Sequence, residues 1–392
     1  MKLKSVNGLN LKGKRVLLRV DFNVSLTSDF QISSDARIRE VLPTIKFLLK
    51  KGATVILCSH LGRPKGKVDK RLSLAKVSRK LESYLKKKVL FLENFWEKEA
   101  NIIVGKLKPG SLVLLENIRF HEGEERNDPQ FAKDLALLAD LFVNDAFGTA
   151  HRAHASTVGV TQFLPSYAGL LLQKEIETIH KAFHNPKRPF LVIIGGGKTP
   201  EKIRVIEKLL DRADTIYLGG AVANTFFATW GISVGVSKVD YEMIEMARQV
   251  FWKATQVSCR LILPKDVVVN NGVNNNKPLV LPYNKIPQHL GIYDIGPQSL
   301  AELKKHINAA KTIIWNGPMG VYEDPKFKKG TEQTLEFITA SRAKTIVGGG
   351  DTISNIKGGK LKKKISHIST GGGAMLEFLE KGTLPAIEVL KE

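Results

Sequence analysis

Only two of the 392 residues are cysteine, Cys58 and Cys259, and they stand 201 positions apart. So sparse a supply excludes a disulfide framework and a Cys-based zinc site, and it fits a reducing compartment. Long apolar runs are missing too. No stretch approaches the ~20 residues a membrane span needs, and the N-terminus, MKLKSVNGLNLKGKR, has no apolar signal-peptide core. These absences predict a cytoplasmic protein that stays out of membranes. Common nucleotide signatures are absent as well. GGGKT lacks the glycine that a GxxxxGK[ST] loop requires at position 192, where valine stands, and a GxGxxG reading fails at Pro200. No Ser/Cys–His arrangement for nucleophilic catalysis is recognisable.

What is present is an ordinary globular composition, 43% hydrophobic and 25% charged. The length points to two domains, because one core rarely grows past roughly 250–300 residues. A formal net charge of +22 raises the question of nucleic acid. Residues 1–169 hold 29 Lys+Arg against 17 Asp+Glu, and residues 170–392 hold 31 against 21, so the excess is +12 and +10. Charge spread so evenly, without interleaved aromatics, predicts attraction of polyanionic metabolites and no nucleic-acid partner.

Short apolar runs alternate with amphipathic stretches from end to end. RVLLRV, TVILC, LVLL, LFVN, FLVII, TIYL and TIIW are continuous, without in–out alternation, as parallel strands buried on both faces read. The alternation predicts an α/β protein of two doubly wound parallel-sheet (Rossmann-like) domains separated by a cleft, with ligands beyond the carboxyl ends of the strands. The domain boundary is expected near Gly169-Leu170, with residues 171–183 a connecting helix. NNGVNNNKP at 270–278 reads as a surface loop.

The first half ends its strands with charged residues: RVDFN, SHLGRP, ENIRF, NDAFGTAHR. Arg37, Arg63, Arg119 and Arg152 follow strands or open helices. Guanidinium groups that converge there suit a small anion, because each can bind carboxylate or phosphate with two parallel hydrogen bonds. His60 is a further donor, and Asp21 and Asn23 are acceptors suited to a substrate hydroxyl. Arg19, inside the strand pattern, is read as structural, and His154, His180 and His184 as solvated or capping.

The second half ends its strands with glycine: IIGGGK, LGG, VGGGD, STGGG. Glycine lets main-chain N–H groups approach phosphate, and a following helix N-terminus adds positive potential. Lys198 and Lys202 supply charge at the first of these turns. Asp351 is a hard oxygen ligand suited to Mg²⁺ held mainly by nucleotide phosphates. Glu323, in the loop WNGPMGVYE, can accept from a ribose hydroxyl.

RVDFN, RIREVLPTI, SHLGRP, ENIRF, NDAFGTAHR, NGPMGVYE, GGGDT and STGGGA together resemble the signature segments of the phosphoglycerate kinase family, in the family's order and between positions 19 and 374. The resemblance implies reversible transfer between 1,3-bisphosphoglycerate plus ADP and 3-phosphoglycerate plus ATP, with Mg²⁺ accompanying the nucleotide. It implies that Asp21, Asn23, Arg37, His60, Arg63, Arg119 and Arg152 hold 3-phosphoglycerate. Lys202, Asn316, Glu323, Gly349, Gly350, Asp351 and Thr352 would meet the nucleotide, with Asp351 toward the metal. Arg37, Lys198, Lys202 and the N–H groups of Gly350 and of Gly372 or Gly373 would be catalytic. Residues 1–169 would bind 3-phosphoglycerate and 170–375 the nucleotide, while a tail of about 376–392 returns to the first domain. The active form would be a monomer whose cleft closes by hinge bending.

Two segments depart from the family. GGGKTPEKI stands for the usual GGAKVSDKI, so Pro200 bears on how the helix presents Lys202. HLGIYDIGP stands for GWMGLDIGP, so Ile292 replaces a glycine near the expected adenine or ribose and bears on nucleotide preference. Two other readings remain. Another kinase of small carboxylates would use acetate or aspartate. A nucleic-acid-binding protein would be retained on DNA at ~150 mM salt without phosphoryl transfer.

Overall fold

Val16 and Leu18 of the strand Arg15–Arg19 enter one apolar cluster, with Val55, Leu57 and Val143; Leu17 enters another, with Ile56, Val113 and Phe142. Both faces of the strand are therefore buried, which is why its sequence is apolar at consecutive positions. The structure, a computed structural model, describes residues 1–272, 277–349 and 363–392. In chain order the strands are β1 (Arg15–Arg19), β2 (Ser25–Leu26), β3 (Ile32–Ser34), β4 (Thr54–Cys58), β5 (Leu90–Leu92), β6 (Leu112–Leu115), β7 (Leu141–Asn144) and β8 (Ser166–Ala168). They continue with β9 (Phe190–Ile194), β10 (Thr215–Leu218), β11 (Arg260–Ile262), β12 (Asp266–Asn270), β13 (Leu279–Pro282) and β14 (Gly291–Ile295), then β15 (Thr312–Asn316), β16 (Lys344–Gly348) and β17 (His367–Ser369).

Among the described residues these strands build two parallel sheets, ordered β5-β6-β4-β1-β7-β8 and β11-β10-β9-β15-β16-β17. The α/β parallel-sheet expectation is met in both halves. The chain starts each sheet in the middle, builds to one side and then crosses to the other. The order thus reverses between β1 and β7 in the first sheet and between β9 and β15 in the second. At such a switch point neighbouring connections leave in opposite directions and open a crevice at the carboxyl ends. A three-stranded antiparallel sheet, β13-β12-β14, accompanies the second, and β2 pairs with β3 in a short hairpin after β1. The antiparallel sheet has no counterpart in the sequence reading, because VVV in β12 does not alternate and β14 carries glycine at its start. The loop reading at 270–278 covers residues 273–276, which lie outside those described.

The chain forms two compact units, Met1–Glu177 with Thr383–Glu392, and Thr178–Gly382. The last residues join the first unit by main-chain bonds: Lys4 N–H donates to Leu390 O (2.9 Å) and Ala386 N–H to Ala150 O (3.1 Å). The helix Leu170–His184 contains the point where the chain passes from one unit to the other. No helix among the described residues is long and apolar enough to cross a membrane. Both cysteines are buried free thiols, and burial pushes each up to about 12, which leaves them protonated and unreactive.

Candidate active site

In the first unit the strand ends carry a basic cluster. Asp21 lies two residues beyond β1, and Arg37 sits in the first turn of the helix Ala36–Lys50, where its Nη1 donates to Asp21 Oδ2. Burial works against the Asp21 carboxylate, but Arg37, Arg19 and the Asn23 N–H outweigh it and hold its pKa below the usual range. Asn23 in turn accepts from the N–H of Gly62 at 2.9 Å, which ties the segment after β1 to the one after β4.

Asn117, fully buried after β6, is the hub of these turns. Its Nδ2 donates to Leu61 O (2.7 Å) and Leu72 O (3.0 Å), and its Oδ1 accepts from the N–H groups of Leu61 and Arg119. Arg119 is thereby set with only 3% of its surface exposed. Its Nη1 donates to Gly62 O at 2.8 Å, whereas its buried Nη2 has no hydrogen-bond partner among the described residues. A buried guanidinium N–H without an acceptor is costly, on the order of 1–3 kcal/mol, unless an anion completes it. Desolvation lowers the Arg119 pKa to about 10, so it stays charged at neutral pH.

His60, also buried, feels Arg19, Arg119, Arg37 and Arg152 together; burial first and these charges next push its pKa well below the usual range. Arg152 is half-buried, with its Nε 3.3 Å from His151 Nε2, and Arg63 is exposed on the segment after His60. Arg19 is 1% exposed and bonded within the unit, as its structural reading expects. His154 differs from expectation: it is buried, with Nδ1 3.5 Å from Glu124 Oε1, because the chain folds it against an acid 30 positions earlier. His184 is exposed, and its ring lies tilted at 36° against that of His180, 4.2 Å between centroids; His180 is half-buried.

In the second unit the glycine turns after β9 and β15 interlock. Gly195 N–H donates to Asn316 O (3.0 Å), and Gly219 N–H to Ile194 O (2.9 Å). Gly317, at φ 88°, is where glycine is indispensable: a Cβ there would strike the Gly195 carbonyl and lie 2.7 Å from Lys202 Nζ. Lys198 adopts a left-handed φ of 56° as the residue before the helix Thr199–Leu209, and its side chain is exposed. Pro200 falls in the first turn of that helix, where its missing N–H costs nothing. The turn therefore forms normally and buries Lys202, whose ammonium donates to Gly195 O. Desolvation first, and the Lys198 charge next, lower the Lys202 pKa to about 8.

Asn316, at the end of β15, donates through Nδ2 to Gly372 O (3.2 Å), bringing the N-terminus of the helix Gly372–Lys381 to the same cluster. The space beside Gly373, where a Cβ would stand, is open. Gly349, just past β16, has a φ of 112°. Gly350, Asp351 and Thr352 lie outside the described residues.

Beside these turns lies a cavity of about 290 Å³, walled by Gly196 and Gly197, Phe227, Ile292, Met319 and Glu323. Its apolar walls with a few polar groups suit the flat base of a small ligand. Ile292 does reach it, with its N–H bonded to Ser237 Oγ at 2.7 Å. Two charged residues of the cavity escaped the sequence reading. Lys238 lies 3.7 Å from where a Gly197 Cβ would stand, and nothing in SVGVSKVDYE signals it. Asp294, in β14, accepts from Gly330 N–H (2.7 Å) and Ile295 N–H (2.9 Å); burial raises its pKa to about 7 despite these two bonds. Among the described residues no group of three His, Cys, Asp or Glu is placed to hold a metal.

The family model for phosphoglycerate kinase matches residues 6–382. A phosphoglycerate kinase of Moorella thermoacetica is 47% identical over 389 residues, 99% of each chain, and one of Dictyoglomus turgidum is 48% identical over 386 residues, 98% of this chain and 97% of that one. Among solved structures, phosphoglycerate kinase from Coxiella burnetii matches with a TM-score of 0.85 at 40% identity, covering 99% of this chain and 98% of that one. The enzyme from Pyrococcus horikoshii matches with a TM-score of 0.87 at 31% identity over the same shares.

Proposed function

The chain belongs to the phosphoglycerate kinase family, and on that premise we propose which of its residues carry the reaction. The enzyme performs glycolytic phosphoryl transfer, moving a phosphoryl group between ATP and the carboxyl group of 3-phosphoglycerate. We assign the anionic substrate to Asp21, Asn23, Arg37, His60, Arg63, Arg119 and Arg152. The observation that carries this most directly is the buried Arg119 Nη2, which is without an acceptor among the described residues. A substrate carboxylate or phosphate would complete it.

The nucleotide falls to the glycine turns and the adjoining cavity. The base would lie against Ile292 and Phe227, the ribose near Glu323, and the phosphates toward Lys198, Lys202, Asn316 and Gly349–Thr352. A magnesium ion would accompany the nucleotide. The donor set read from the sequence fits a cation held chiefly by phosphates: one carboxylate, Asp351, follows the glycine run at 348–350, and the turn after β9 and the helix it opens carry Lys198 and Lys202. When bound, the ion would draw charge from the phosphate oxygens.

The substrate carboxylate is already a nucleophile, so no general base or covalent intermediate is required. Catalysis rests on in-line positioning and on neutralising charge on the transferring phosphoryl oxygens. Arg37 and Lys202, with Lys198 and the N–H groups of Gly350 and of Gly372 or Gly373, supply that positive potential. The residues assigned to both substrates belong to one chain, and we infer that it acts as a monomer in the cytoplasm, where its substrates are. A coupled assay with 3-phosphoglycerate and MgATP tests the reading. Turnover with acetate or aspartate and none with 3-phosphoglycerate would overturn it.

A further inference from the structure

Arg19 is one of the largest fully buried side chains of the protein, and its guanidinium is divided among three partners. Nε donates to Ser156 Oγ at 2.9 Å, Nη1 donates to the carbonyl of Val20, and Nη2 lies 3.2 Å from His60 Nδ1. A guanidinium has donors and no acceptor. The third contact is a hydrogen bond only if His60 Nδ1 keeps its lone pair, and a neutral imidazole then carries its proton on Nε2. We propose that Arg19 is a positioning residue that locks His60 as the Nε2–H tautomer, so that a ring of ambiguous polarity becomes an obligate donor toward the anionic substrate. The proposal rests on the reading of His60 as a substrate ligand.

Three observations support it. The Arg19 geometry is itself held in place: Ser156 Oγ passes the chain on to Glu124 Oε1 at 2.7 Å, while Ser156 N–H donates to Glu124 Oε2 at 3.0 Å. Glu124 is fully buried and balances the Arg19 charge; burial alone would raise its pKa, but His154, Arg19 and Ser156 together hold it down. A second proton on His60 would set an N–H against the Arg19 guanidinium, which accords with the downward shift on that ring. Moreover, Arg37, Arg119 and Arg152 also act on His60, so a carboxylate or phosphate among them meets a ring whose free nitrogen must donate.

The test is the side-chain ¹⁵N spectrum of His60 in the ligand-free, full-length enzyme, assigned by its loss in His60→Gln. The expected result is an unprotonated Nδ1 and a protonated Nε2 at neutral pH. In Arg19→Lys one nitrogen replaces three, and an ammonium set against one of these acceptors cannot reach the other two. His60 should then populate both tautomers, and KM for 3-phosphoglycerate should rise roughly 5–100-fold, with KM for ATP near wild type. A proton on Nδ1 in the wild type overturns the proposal, as does an Nε2–H tautomer that persists in Arg19→Lys. Should Arg19→Lys not fold, the wild-type spectrum still decides, because a protonated Nδ1 is incompatible with the guanidinium contact. If the tautomer is as expected but His60→Gln leaves KM for 3-phosphoglycerate unchanged, the substrate-ligand reading fails, and with it the claim that the lock serves binding.

Discussion

The ammonium of Lys202 rests on the carbonyl oxygen of Gly195, in the turn that leaves β9. A helix side chain thus closes back on the turn that precedes its own helix, and pays for it by desolvation, which brings its pKa to about 8. Above that pH the free enzyme loses the charge meant for the nucleotide phosphates. ADP affinity should therefore fall by up to about tenfold per pH unit beyond pH 8. Lys202→Arg, charged throughout, should flatten the profile. Calorimetric titration of ADP from pH 7 to about 9.5 reads this; a level wild-type profile rejects it.

Arg37 opens a helix and is paired with Asp21 in the free protein. If it acts on transition-state charge, Arg37→Ala should lower kcat roughly 10²–10³-fold, equivalent to ~2.7–4 kcal/mol, with smaller changes in both KM values. Arg37→Lys should restore only part, because an ammonium cannot reproduce the planar fork. Steady-state kinetics on the folded variants decide. An unchanged kcat rejects the role, and a loss confined to KM makes Arg37 a ground-state binder.

Ile292 brings an apolar side chain to the cavity wall. Apolar contacts of this size discriminate ligands by about 1–3 kcal/mol. Ile292→Gly and Ile292→Ala should each change the ratio of kcat/KM for ATP over GTP by at least about fivefold, with KM for 3-phosphoglycerate unaltered. An unaltered ratio in both variants would show that the side chain does not meet the base.

Asp294 clamps β14 to the start of the helix Lys329–Ala340, through the Gly330 N–H. Burial raises its folded pKa to about 7, above the roughly 3.9 of an unfolded aspartate. The folded state therefore binds the proton more tightly between these values. Its stabilising contribution is complete below about pH 4 and is lost as pH rises through 7. Asp294→Asn removes this dependence and leaves one main-chain N–H facing an amide donor, at a cost of about 1–3 kcal/mol. The deficit in Tm relative to wild type should be larger at pH 5 than at pH 8.5. Thermal unfolding at both values checks the sign.

Asp351→Ala should weaken use of the magnesium nucleotide while leaving 3-phosphoglycerate binding near wild type. Calorimetry with each ligand separates the two, and equal losses for both would reject Asp351 as the metal's carboxylate.

The local chain determined which segments become buried parallel strands, and where glycine must stand. RVLLR and FLVII are apolar at consecutive positions because each residue finds a core on its own side of the sheet, and that demand is written position by position. The turn glycines are legible for the same reason: the close approach they permit is a property of the residue itself. The strand-end positions of Asp21, His60 and Arg119 could likewise be read along the chain. What tertiary structure decided is which of these groups meet and in what chemical state. Asn117 looks like a loop residue, yet its amide bonds reach Leu61 and Leu72, 56 and 45 positions away. Lys238 and Asp294 join the cavity only because β14 and the turn after β9 are brought together. The low pKa of His60 and the raised one of Asp294 arise from desolvation, which depends on every element packed around them and is encoded in no short segment.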